Sequence, residues 1–330
     1  MRRVIRTSIA IIKDNLNSPI AVFFVLLFPV MLALTFALGF GGLASSLTVP
    51  VYVSGHEANG VARALNATGL FSVHLGGNTS VVKFGAVFVN VTEGGATIYY
   101  PPYAEKYVSV VEYSVASALS KANYSFSTVR LSSPYSYQAY VLTGTIGAMV
   151  MSNGVFGVTG VAATYYRDKL IERLAASPLK DYEWALSLMI YEVVISFASA
   201  IAIGLAGLAI GVPLRASLAL VAFVVLGTFV FAGLGAVIYG LTPKDRVFLA
   251  NTVATVVTFP LMFASNSFYP SYVVPMPFRL FVEYQPLSLF NDVLRSVTLG
   301  VPTSPYVAMG LAVGGLAMLG IGINMLKLRE

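Results

Sequence analysis

The sequence predicts a polytopic α-helical membrane protein: six transmembrane helices plus an inserted α/β extracytoplasmic domain. Three observations predict it. Hydrophobic residues make up 57% of the 330-residue chain and charged residues only 10%, with mean hydropathy +0.80. Soluble domains carry about 25% charged residues, so an ordinary soluble enzyme is excluded. Charge-free windows run over 15–56, 131–166, 193–214, 216–243, 247–278 and 296–326. Finally, 43–137 is a compositional island that holds both histidines and reads as mixed strand and helix.

Each window contains an apolar core. About 20 apolar residues span the hydrocarbon, and a charge at its centre costs at least ~2.5–3.5 kcal/mol. The expected spans are 20–42, 139–162, 185–210, 217–240, 248–267 and 304–326. The fifth is the least regular, because Pro260 interrupts it and Ser265, Asn266 and Ser267 follow. The first resembles a signal peptide in its basic flank and in Ala44, Ser45 and Ser46, but its core exceeds the usual 7–15 residues of such segments.

Lys and Arg set the orientation. With the N-terminus inside, the cytoplasmic side holds Arg2, Arg3, Arg6, Lys13, Arg167, Lys169, Arg173, Lys180, Lys244, Arg246, Lys327 and Arg329. The short outer loops hold only Arg215, Arg279 and Arg295. The net charge of +6 is therefore an orientation signal, and nucleic-acid binding is not needed to explain it.

Residues 1–18 form the first element. Val4, Ile5, Ile9, Ile12 and Leu16 recur near helical spacing, with Arg2, Arg3, Arg6 and Lys13 between them. This pattern suits an amphipathic helix in the inner interface; a plain positive-inside flank is the alternative. The first span, 19–42, follows.

The domain 43–137 opens on a strand, Val49–Ser54, and a helix, Glu57–Ala67. Strands follow at Phe71–Leu75, Val81–Val91 and Ala96–Tyr100, then a helix over Tyr103–Lys121 and a strand at Thr128–Leu131. Sequons at Asn66, Asn78, Asn90 and Asn123 all fall here, as an exposed outer loop allows; a segment merely rich in Asn, Ser and Thr is the alternative. His56 and His74 match no metal-ligand spacing and read as surface residues.

The remaining chain, 138–330, supplies five spans and two connecting elements. The loop 165–183 is the most charged stretch. Asp168 and Glu172 lie four apart, as do Lys169 and Arg173, so a short helix would carry mixed-sign pairs, ended by Pro178. It reads as a docking helix or as a solvated connector. The outer stretch 268–302 is Pro-rich and reads as short helices returning part-way into the membrane, where irregular backbone must be covered by protein. Glu192 is the one acid well inside a span; it is a functional candidate, or it reaches the interface or a neighbour. Gly207–Gly211 and Gly310–Gly314 have spacing suited to close helix packing. No phosphate-binding Gly-rich loop, H-E-x-x-H or G-x-S-x-G is present, and there is no cysteine.

The order of several motifs resembles the permease subunit of ATP-binding-cassette exporters of the type-2 membrane-protein family. Arg167, Lys169, Glu172, Arg173 and Leu174, then Ser177-Pro178-Leu179, match its basic–acidic helix and Ser/Thr-Pro. The run 263–270, then Pro275, Pro277, Gln285-Pro286-Leu287, Arg295 and Gly300, matches its C-terminal order. Residues 50–73 and 84–95 look like the version with an α/β domain after the first span. One departure is clear: the family often has Gly in the loop helix, where this chain has Asp168-Lys169-Leu170-Ile171.

The resemblance implies a transporter subunit without catalytic residues or cofactors of its own. ATP and magnesium would sit in a separate ATPase subunit docked on Arg167, Asp168, Lys169, Glu172, Arg173, Leu174, Ser177 and Pro178. The helix of Arg2, Arg3, Arg6 and Lys13 would lie beside it. A second permease subunit, identical or not, would complete the pathway in the lipid membrane. Asn153, Glu192, Ser196, Asn251, Thr255 and Asn266 are candidate lining residues. Competing readings are a mechanical transmitter acting on external partners, expected to have four spans, and an ion-coupled carrier, expected to show inverted repeats.

Overall fold

Residues 2–39, 49–84, 86–101, 104–119, 125–130, 136–243, 246–271, 274, 277–301 and 303–327 are described in a computed structural model. Ala44–Ser46, Asn123, Lys244, Pro275, Pro302 and Arg329 lie outside these residues. The chain divides into two compact units: 1–38 with 137–330, and 39–136.

The first unit is helical. Helix α1 (Arg2–Leu16) is followed by a run in which α2 (Pro19–Val22) and α3 (Phe28–Leu34) alternate with π turns at Phe23–Leu27 and Thr35–Gly39. Pro29 explains the first π turn. It has no N–H for the Val25 carbonyl four residues earlier. The turn widens so that Phe28 N–H reaches Phe23 O, and Ser199 Oγ donates to the Val25 carbonyl at 2.8 Å.

Helix α6 (Tyr137–Arg167) is the hub of the unit. It is 31 residues long, and 72% of its most apolar window is buried. Around it pack α8 (Asp181–Ala209), α9 (Leu218–Leu241), α10 (Phe248–Phe263) and α12 (Pro286–Leu299). Helix α13 (Pro305–Met325) lies mainly on α9. A glycine-rich face lets α6 receive these neighbours: a Cβ at Gly154 would stand 2.8 Å from the Ala232 nitrogen, and one at Gly235 2.7 Å from the Val155 carbonyl oxygen. Backbones this close gain dispersion contact that bulkier side chains forbid. The spacing-based expectation for Gly310 and Gly314 fails: nothing lies within 4 Å of a Cβ built on either. Gly211 ends α8 with φ +77° rather than packing a seam. Spacing marks a small stripe but not which face of the helix meets a neighbour.

Among the described residues, four helices are long and apolar enough to cross a membrane: α6, α8, α9 and α13. The expected spans 20–42 and 248–267 correspond to shorter apolar helices. The first is broken by its π turns. The second stops at Phe263, after Pro260 and before the polar turn 264–267.

That turn is held by a buried polar cluster. Arg295 Nη2 donates to Asn266 O at 2.6 Å, and the guanidinium lies 3.5 Å over the Tyr140 ring. Asn291 Nδ2 donates to Asn266 Oδ1 (3.0 Å) and Ser267 Oγ (2.8 Å), while Asn266 Nδ2 donates to Asp292 Oδ1 (2.8 Å). Gln285 Nε2 donates to the Ala264 carbonyl. Irregular backbone away from water needs this kind of satisfaction. A short helix α11 (Phe278–Tyr284) precedes α12.

The second unit is a two-layer α/β fold. Strands β1 (Val49–Gly55), β2 (Phe71–Leu75), β3 (Val87–Thr92), β4 (Gly95–Tyr100) and β5 (Ser125–Arg130) form one sheet in the order β2-β1-β3-β4-β5. Only the β3–β4 pair is antiparallel. Val51, Val53, Val87, Val89, Val91 and Ile98 bury one sheet face against Val61 and Leu65 of α4 (Ala58–Ala67) and Val111 and Val115 of α5 (Glu105–Leu119). The expected strand 81–91 is half wrong: Thr79–Phe84 is a 3-10 turn, and the strand starts at Val87. A short apolar run does not by itself distinguish the two. Asn66 and Asn78 are exposed and Asn90 is half-buried in β3. His56 and His74 are both exposed, and no group of three metal-ligating side chains occurs among the described residues.

Candidate coupling site

The charged loop is built at the end of α6. The helix stops at Arg167, and Lys169 takes a left-handed conformation, φ 56°. Helix α7 (Leu170–Ala176) starts there. This is the stretch where the resemblance led one to expect Gly, the residue that adopts such a conformation without cost. The break also alters the expected charge pattern. Asp168 and Glu172 do not share one helix, nor do Lys169 and Arg173, so the single short helix expected to carry all four charges does not form. Instead Arg167 Nε donates to Asp168 Oδ1 at 2.9 Å.

Helix α7 is amphipathic over two turns. Leu170, Ile171, Leu174 and Ala175 are half-buried against a core containing Tyr165, Leu179, Trp184 and Leu188. Glu172 and Arg173 point out, exposed, and make no ion pair among the described residues. Ser177 Oγ donates to Leu174 O at 2.6 Å and accepts from Leu179 N–H at 3.2 Å, closing the turn at Pro178. Glu183 Oε2 then accepts the Lys180 N–H at 3.0 Å and starts α8.

Helix α1 is fastened to this loop at both ends. Arg3 Nη1 donates to Pro178 O at 2.7 Å and lies 4.0 Å from Glu183 Oε2. Tyr165 OH donates to Asp14 Oδ2 at 3.1 Å, and its ring stacks on Trp184 at 5.4 Å. Between these ends two serines interlock α1 with α8. Ser8 Oγ donates to Ser187 O (3.1 Å), and Ser187 Oγ donates to Val4 O (3.1 Å). Sequence reasoning did not single out Asp14, Ser8, Ser187 or Tyr165. The one available signal was Ser8 among isoleucines on the helix face that also carries Val4 and Ile11.

The faces of α1 divide its labour. Val4, Ser8 and Ile11 are buried on the protein; Ile5 (53% exposed), Ile9 (46%) and Leu16 (38%) form a bare apolar stripe. Arg2, Arg6 and Lys13 are exposed beside that stripe, and Arg3 points to the loop.

A family model described as ABC-2 family transporter protein matches residues 98–325, more than two thirds of the chain. The chain belongs to this family. No curated protein matched it. The match starts at Ile98 within β4, so it takes in α6 to α13 and the whole of α7, but not α1. As an ABC-2 permease the chain is the membrane component of an ABC transporter, not the ATP-hydrolysing one, and its family implies an ATPase partner.

The candidate pathway residues of this ABC-2 permease separate into three places. Asn153 of α6 donates from Nδ2 to Ser199 Oγ of α8 at 3.0 Å, and Glu192 and Ser196 of α8 are fully buried. Asn251 and Thr255 lie on the exposed face of α10, whose buried residues recur every fourth position at Ala250, Ala254, Thr258 and Met262. Asn266 sits in the polar cluster with Asn291, Asp292 and Arg295, away from the other five.

Proposed function

We propose that this permease is one half of an ATP-binding-cassette exporter for hydrophobic or amphipathic substrates. The ATPase subunit docks on 167–180, and ATP and magnesium stay in that subunit. The observation that carries this reading is mechanical: the exposed Glu172 and Arg173 sit on a two-turn helix packed against the core of α6 and α8, and α1 is bonded to the Pro178 turn that follows it, to α6 and to α8. Force applied at α7 therefore enters three helices together. Termini and loop lie in the cytoplasm, 43–137 lies outside, and the first span and α10 complete six crossings.

A second permease subunit would cover the exposed face of α10. A helix with one buried residue per turn is half-dressed, and the polar Asn251 and Thr255 are poorly suited to lipid. Facing a partner copy, they line a pathway between subunits.

Charge reversal at two positions tests the docking. E172R/R173E together should leave the permease inserted and folded, because neither residue is packed. They should cut substrate-stimulated ATP hydrolysis in the complete transporter at least tenfold. Unchanged coupling in that variant removes α7 as the docking site.

A second reading is favoured by one feature: only four described helices reach full spanning length. A four-span protein with an outer domain would transmit force to external partners and move no substrate. Mapped topology separates the two.

A further inference from the structure

The α6–α8 seam holds a group that neither fold nor docking uses. Glu192 lies eleven positions into α8, about 16 Å along it at the usual rise per residue. It is the one Asp, Glu, Lys, Arg or His in the long apolar helices away from their ends. It is 0% exposed, and neither carboxyl oxygen has a hydrogen-bond partner. Ser196, one turn on, is also 0% exposed with an unpartnered hydroxyl. Opposite is Gly157 of α6, where a Cβ would stand 2.1 Å from both carboxyl oxygens. The missing side chain is the room Glu192 occupies.

Neither resting state of this carboxyl is at ease. An ionised carboxylate without a counter-charge loses several kcal/mol of hydration. A neutral acid leaves a buried hydroxyl and carbonyl unmade, at a cost of about 1–3 kcal/mol each. A divalent ion asks for six or more oxygens, which one carboxyl and one hydroxyl do not supply. An organic ammonium asks for less. Its charge pairs with the carboxylate, the Ser196 hydroxyl accepts a further N–H, and its apolar body suits a seam whose neighbouring buried residues include Val158, Val161 and Ile195.

We propose that Glu192, with Ser196, receives the cationic group of a lipophilic organic cation entering the α6–α8 seam. Amphipathic amines are then the preferred substrates. This rests on the exporter reading above and adds a substrate class to it.

The test uses the complete transporter, permease with its ATPase subunit, in liposomes. Two probes are compared: rhodamine 6G, a lipophilic cation, and calcein acetoxymethyl ester, a neutral lipophile. In E192Q the ratio of cation to neutral transport should fall at least tenfold. Gly157→Ala should lower the same ratio, by pressing on the carboxyl. An unchanged ratio in E192Q overturns the inference. A wild-type transporter that moves the neutral probe but not the cation also overturns it, and leaves the exporter reading standing. One that moves neither overturns the exporter reading itself.

If E192Q fails to assemble, the wild type decides. Rhodamine 6G should slow modification of Glu192 by dicyclohexylcarbodiimide at least fivefold. Modification that is absent, unaffected, or slowed by sodium chloride alone overturns the inference.

Discussion

Lys169 shows how one backbone angle shapes the candidate site. Its φ of 56° turns the chain between α6 and α7, and L side chains pay about 1–2 kcal/mol for that conformation. The turn separates Asp168 from the helix of Glu172 and Arg173, which stay exposed to meet a partner. K169G removes the side-chain penalty and adds some unfolded-state freedom, so a net gain of about 0.5–1 kcal/mol is expected. It should appear as a raised thermal midpoint of the detergent-solubilised permease; a lowered midpoint contradicts the reading. Asn266 is the second instructive residue. Its side chain and carbonyl serve Asn291, Asp292, Arg295 and Tyr140, so it joins elements rather than lining an open surface.

At the scale of elements, α1 and α8 act as one body. Ser8 and Ser187 bond to each other's helix backbone, beside a core that holds Ile11 and Trp184. Small hydroxyl residues allow that approach and satisfy themselves where water is scarce. The chain has no cysteine, so S8C/S187C introduces the only two thiols. A short bis-methanethiosulfonate reagent, which forms a disulfide with each thiol and releases methanesulfinate, should cross-link them in high yield, and the linked permease should keep substrate-stimulated ATP hydrolysis within about twofold. Loss of coupling on linking means that α1 slides against α8 during the cycle.

At the scale of the whole molecule, the proposed six crossings assign each loop to one side of the membrane. Single cysteines test this on the same cysteine-free background. A thiol replacing Asn66 or Asn78, both exposed, should react with an impermeant maleimide from outside intact cells. One replacing Glu172 should react only after permeabilisation. One replacing Arg215 or Tyr306, flanking α9 and α13, should label from outside if six crossings hold. Labelling of Arg215→Cys only from inside contradicts the proposed order of spans.

Much of this architecture is written in composition. A charge costs so much in hydrocarbon that the expected spans 185–210, 217–240 and 304–326 announce α8, α9 and α13 to within about four residues. The alternating valines of 49–53 and the spacing of Val61 and Leu65 announce β1 and α4 by their periods. The charged loop is equally visible, because a cluster of Arg, Lys, Asp and Glu stands out in so apolar a chain. Contacts between distant segments are not visible in this way. Arg3 meeting Pro178, Tyr165 meeting Asp14 and Asn266 meeting Arg295 join residues from 29 to 175 positions apart. Nor does spacing tell which glycines meet a neighbour: Gly154, Gly157 and Gly235 do, Gly310 and Gly314 do not. By itself the sequence determined that the chain enters a membrane, where its helices run and where a charged loop interrupts them, because those follow from local transfer energies. Only the tertiary structure decided that the loop and α1 form one unit and that Glu192 has no partner, because pairing depends on how helix faces rotate against one another.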